Sequence, residues 1–110
     1  MFVAPIEQFR LSETAARFEG GQAGVAASCF VTEYPDGRGP DLHLHPYAEL
    51  FVVLDGTAEF SAGEERRIVE GGHFVVVPPE TPHGFKCRGG QRLRVVSVHP
   101  SPTVIQTDLT

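Results

Sequence analysis

A chain of 110 residues, 41% hydrophobic and 21% charged, has the composition of one ordinary globular domain, long enough to build a core without cross-links. Its formal charge of −5 leaves no basic surface to neutralise phosphates, which argues against nucleic acid as a partner. The longest apolar run, residues 74–79, is far too short to span a bilayer, so no membrane partner is expected.

Residues 1–17 form a weakly patterned N-terminal segment, in which residues 12–17 offer at most a short turn of helix. Residues 18–102 read as strand, turn, strand. Residues 24–34 are rich in β-formers and close at Pro35-Asp36-Gly37, whose turn chemistry is explicit. Residues 42–45 make a short extended piece broken at Pro46. Residues 49–54 read as a strand ending in Asp55-Gly56, a strong hairpin signal. Residues 57–61 return, residues 62–65 turn, and residues 66–69 continue. Gly71-Gly72 turns again before residues 74–77, a β-branched run suited to a fully buried strand. Pro78, Pro79 and Pro82 stiffen the path into residues 83–87. After Gly89-Gly90, residues 93–99 form the last clear strand. Pro100 and Pro102 then set off a β-prone tail, residues 103–110, which is expected to add to a partner's sheet edge in a homodimer. With twelve Gly and nine Pro, this succession of short strands predicts an all-β sandwich or barrel.

One constellation carries chemistry. Gly37 is followed after five residues by His43-Leu44-His45, after three more by Glu49, and after six more by Gly56. A second run places Gly72, Pro78 and His83 in order. Residues two apart in a strand share a face, so His43 and His45 project together. Two imidazoles on one face are poor core fillers unless something pairs with them. Glu49, beyond the bend at Pro46, and His83, behind the proline-stiffened loop, complete three nitrogens and one carboxylate. That set suits one divalent transition metal: iron, manganese, nickel, copper or zinc. The bland alternative is four separate hydrogen-bonded side chains that never meet.

Residues 37–56 resemble the first motif of the cupin superfamily at every defining position, and residues 72–83 resemble the second. The second departs from the pattern in three places: Glu80 stands where Gly is usual, Cys87 where Asn is usual, and His73 where Asp is frequent. None of these removes a ligand, although Glu80 bears on the geometry of its loop. The resemblance, to the small single-domain conserved-barrel cupins, implies a jelly-roll β-barrel with the metal inside, reached from one open end. It implies a homodimer as well, and says little about activity, because cupins include dioxygenases, isomerases, decarboxylases and non-catalytic binding proteins.

Two functions follow as expectations. In the first, a small organic substrate coordinates the metal at vacant positions, for dioxygenase-like oxidation or for isomerisation or decarboxylation with the metal as Lewis acid. No general base stands apart from the ligands, unless Glu49 doubles in that catalytic role. In the second, the barrel binds a small ligand without catalysis. Phe51, Val53 and Phe85 share strand parity with the ligands and are candidates for an apolar pocket or for plain core. Cys87 shares the face of His83, as a thiol near the cavity or as inert core. His99 ends the last strand with either face open to it, as a substrate contact or a surface histidine, and is not expected to be a ligand. The orientation of Tyr47 is left undecided. With no signal-like N-terminus and only two cysteines, the expected location is cytoplasmic with both thiols reduced.

Overall fold

The computed structural model describes residues 1–110 and contains ten strands. They are β1 (Ala15–Glu19), β2 (Ser28–Tyr34), β3 (His43–Leu44), β4 (Glu49–Asp55), β5 (Thr57–Ala62), β6 (Glu65–Glu70), β7 (His73–Val77), β8 (His83–Arg88), β9 (Leu93–His99) and β10 (Thr107–Asp108). One five-stranded sheet runs β1-β2-β9-β4-β7 and the other β10-β3-β8-β5-β6, every pairing antiparallel. This is a jelly roll. Its sheets do not close into one hydrogen-bonded barrel, because β6 and β7 each remain an edge.

Alternation along the strands builds the core. In β4, Glu49, Phe51 and Val53 point inward and are buried, while Leu50 and Leu54 between and beyond them are exposed. Phe51, Phe60 and Phe85 meet in the middle, with ring centroids 4.9 to 5.8 Å apart. Asp55-Gly56 does not make the expected hairpin, because β4 pairs with β7 and β9, and β5 with β6 and β8. The chain crosses there from one sheet to the other, turning at Gly56, where φ is +88° and an added Cβ would lie 2.4 Å from the Arg92 carbonyl oxygen. Only glycine satisfies both conditions.

Three further local expectations are corrected. The stretch from residue 12 to 17 is not helical: it bends, and Ala15 to Arg17 enter β1, paired with β2; the N-terminal 3-10 turn is Ile6–Phe9 instead. The reason is tertiary. Phe18 on β1 supplies a surface for the rings of Phe2 and Phe9, 5.7 and 5.2 Å away. Residues 74–77 are not fully buried, since β7 is an edge strand whose Phe74 and Val76 are 75% and 64% exposed. Finally, the tail does not wait for a partner. Thr107 and Asp108 pair with Leu44 and His43 of the same chain, because β3 offers a free edge beside the metal-ligand candidates.

Candidate metal centre

The candidate ligands come from opposite sheets. His43 opens β3, which Pro46 keeps short, and pairs in register with His83 at the start of β8. His45 follows on the same face. Glu49 and His99 come from adjacent strands of the other sheet, at the first residue of β4 and the last of β9. All five side chains are buried. One ligand atom from each of His43, His45, Glu49 and His83 lies within 4.8 Å of all the others, so these four form a group able to hold a metal ion.

Hydrogen bonds fix the protonation of the three ligand imidazoles. Nδ1 of His43 faces the Asp41 carbonyl at 2.6 Å, that of His45 the Ile105 carbonyl at 2.8 Å, and that of His83 the Thr81 carbonyl at 2.8 Å. A carbonyl only accepts, so each Nδ1 carries the proton and each Nε2 turns a lone pair inward. His45 Nε2 and His83 Nε2 both lie 3.0 Å from Glu49 Oε1. Two lone pairs beside a carboxylate oxygen repel unless a cation sits among them, either a second proton or a metal. His45 Nε2 is moreover buried with no aligned hydrogen-bond partner. The donor set therefore fits a divalent transition metal.

The electrostatics agree. Burial opposes charge on Glu49, yet the contacts from His45, His83 and His99 outweigh it and hold the carboxyl far below the usual carboxylate range. Burial likewise opposes charge on His45, but Glu49 and the Ile105 carbonyl raise its pKa. His43 goes the other way, lowered chiefly by burial.

The centre opens on a cavity of about 390 Å³. Phe51, Phe85 and His99 line it, as their parity allows. Val53 and Cys87 do not: both are fully buried in the core, where the Cys87 thiol donates to the Gln91 carbonyl at 2.9 Å and burial pushes its pKa up. His99 faces inward. The signal was in β9, where Arg94 falls out of phase with Leu93, Val95, Ser97 and His99 and so marks theirs as the core face. Tyr47 faces the centre as well, its ring stacked on His45 at 5.3 Å and its hydroxyl 2.8 Å from His99 Nδ1. Sequence reasoning missed Arg17 and Val104 in the lining, because only the tertiary fold brings β1 and the tail to the mouth. Glu80, standing where the motif has glycine, keeps the glycine conformation: its φ is +58°, and its N–H donates to the His45 carbonyl at 2.8 Å.

The model of the cupin domain matches residues 30–99. The chain belongs to the cupin family. No curated protein is close enough in sequence to count as a relative. Among solved structures, this cupin is similar to Bacillus subtilis oxalate decarboxylase, a protein with Mn(II) centres, at TM-score 0.79 and 17% identity, covering 89% of this chain and 29% of that one. It is similar to an oxalate oxidase in complex with glycolate at TM-score 0.68 and 19% identity, covering 74% and 45%. A conserved protein of unknown function from Streptococcus pyogenes matches at TM-score 0.62 and 22% identity, covering 66% and 62%. The chain thus spans less than two thirds of each, and at these identities the likeness is one of fold.

Proposed function

We propose that this cupin is a metal-dependent enzyme whose small organic substrate coordinates a divalent metal held by His43, His45, Glu49 and His83. The observation that carries this reading is the set of inward Nε2 lone pairs around one carboxylate, at the wall of a cavity sized for a small molecule. When bound, the metal supplies Lewis-acid polarisation or oxygen activation. Among the reactions open to such a site, decarboxylation or oxidation of a small acid has the support of the two oxalate-handling neighbours. The rest is the work of the chain. The Asp41, Ile105 and Thr81 carbonyls orient the three imidazoles, and Phe51 and Phe85 wall off water from one side. Glu49, with its carboxyl held so low, acts as ligand, and a role as proton acceptor requires it to leave its imidazole partners.

Metal analysis of protein purified without a chelating tag tests this, beside His45→Ala and His83→Ala. Near-stoichiometric metal in the wild type and its loss in both variants is the expected result. No metal after reconstitution would overturn the reading and leave a ligand-binding jelly roll.

We also infer a homodimer, formed through the outer face of the first sheet. The N-terminal segment covers that face over β1 and β2, whereas over β4 and β7 the residues Leu50, Leu54, Phe74 and Val76 are left bare. A second copy presenting the same patch about a two-fold axis is the occupant such a surface fits. Two unpaired thiols, one of them fully buried, support a reducing, cytoplasmic location.

A further inference from the structure

His99 is the imidazole at the centre that the four-ligand group leaves over. Its Nδ1 meets a hydroxyl instead of a carbonyl, that of Tyr47 at 2.8 Å, and the Tyr47 oxygen in turn accepts the Ile105 N–H at 3.1 Å. Two arrangements satisfy these contacts. If His99 Nδ1 carried the proton, its Nε2 lone pair would stand 3.1 Å from Glu49 Oε2, and the Tyr47 proton would have no acceptor. If Tyr47 donates to Nδ1, the hydroxyl proton has an acceptor, the Nδ1 lone pair has a donor, and Nε2 carries an N–H. The second arrangement holds. His99 is therefore the opposite tautomer to His43, His45 and His83, and cannot offer the metal a lone pair.

That N–H has no aligned acceptor in the protein. His99 is 1% exposed, and its Nε2 is buried without a hydrogen-bond partner, the 3.1 Å approach to Oε2 lying off the direction a hydrogen bond requires. An unsatisfied buried donor is costly, so its persistence here points to an acceptor that enters the cavity His99 lines. The cavity also offers a cation for the far end of such a ligand. Arg17 is the one Arg or Lys side chain in its lining, which holds the carboxylates of Glu49 and Asp108 as well, and the ion pair of Arg17 with Glu19 is long at 4.0 Å.

From these two observations we propose that the cavity receives a small carboxylate. One of its oxygens goes to the metal, the other accepts the His99 Nε2–H, and Arg17 at the β1 wall balances a second acidic group where the ligand has one. Tyr47 and Ile105 are positioning groups that hold His99 in the donating tautomer. This rests on the metal reading of the same site.

Cobalt(II)-loaded protein tests it, because the visible spectrum reports the coordination of the ion independently of turnover. Acetate and malonate are titrated into wild type, His99→Leu, His99→Gln, Tyr47→Phe and Arg17→Gln. His99→Leu is expected to keep cobalt at wild-type stoichiometry and to bind acetate at least about tenfold more weakly, the scale of one lost hydrogen bond to a charged group. His99→Gln, whose amide restores an N–H donor, recovers most of that loss, and Tyr47→Phe falls between. Arg17→Gln weakens malonate more than acetate. If His99→Leu fails to fold, the His99→Gln and Tyr47→Phe titrations decide. Acetate affinity equal in all variants would overturn the proposal. So would loss of cobalt from His99→Leu, which would make His99 a ligand. A wild type that takes up no cobalt defeats the metal reading itself and is told apart by that first measurement.

Discussion

Glu80 is a side chain in a glycine's place, and replacing it is expected to stabilise the protein. Its φ of +58° is the left-handed conformation, which costs an L-residue with a Cβ roughly 1–2 kcal/mol. Glycine escapes that cost but loses about 0.5–1 kcal/mol more backbone entropy on folding. The Glu80 side chain makes no hydrogen bond or ion pair, and the contact that matters, its N–H to the His45 carbonyl at 2.8 Å, is made by the backbone and survives the change. Glu80→Gly should therefore gain about 0.5–1 kcal/mol, a rise in Tm of roughly 2–5 °C for a domain of this size. Glu80→Val, β-branched in the same conformation, should lose about 1 kcal/mol or more. Thermal and urea denaturation of the metal-free forms measures both without interference from ligand binding. Metal affinity should not move with Glu80→Gly. A fall in Tm for Glu80→Gly, or no effect of Glu80→Val, would refute the argument that this loop holds its shape against the preference of its residue.

Ending the chain after Thr103 removes the carbonyl that orients His45 and should weaken metal binding about 10–100-fold in competition with a chromogenic chelator; an unchanged affinity would show that the tail does not orient the ligand. In metal-free protein the raised pKa of His45 stabilises the fold fully below pH 6.5 and ceases to do so as pH climbs through the raised folded-state value, whereas Glu49, with its lowered pKa, contributes from pH 4.5 upward and loses its effect only in strong acid. The Tm gap between wild type and Glu49→Gln should accordingly narrow from pH 6 to pH 9, and a constant gap would mean that the two groups do not share a proton-linked contact. Phe74→Asp, in the bare outer patch, should convert a dimer to a monomer in light scattering while leaving the metal content intact; a dimer that survives it uses another face.

Much of this was legible before folding. The spacing of His43, His45 and Glu49 is a local matter: a period of two puts both imidazoles on one side, and Pro46 forces the bend that brings the carboxylate back. Asp55-Gly56 declares its turn for an equally local reason, the positive φ that Gly56 supplies, but not that the turn leads from one sheet into the other instead of into a hairpin. Parity also sorted Phe51 and Phe85 correctly onto the inner face. It could not say how deep along that face each residue sits, and so Val53 and Cys87, in phase with the ligands, belong to the core and not to the cavity.

The tertiary structure decided whatever depends on contacts between distant residues. Ile105 is 60 residues from His45 and 58 from Tyr47, yet its carbonyl and N–H fix the protonation of one and the hydroxyl of the other. Nothing in the tail's β-prone composition tells whether its strand pairs with a second copy or with the short, open edge of β3 in its own chain. Side-chain pattern encodes which face of a strand is apolar. Which edge it joins is set by main-chain groups that are the same in every residue, and only the folded arrangement of the two sheets shows which of them are free.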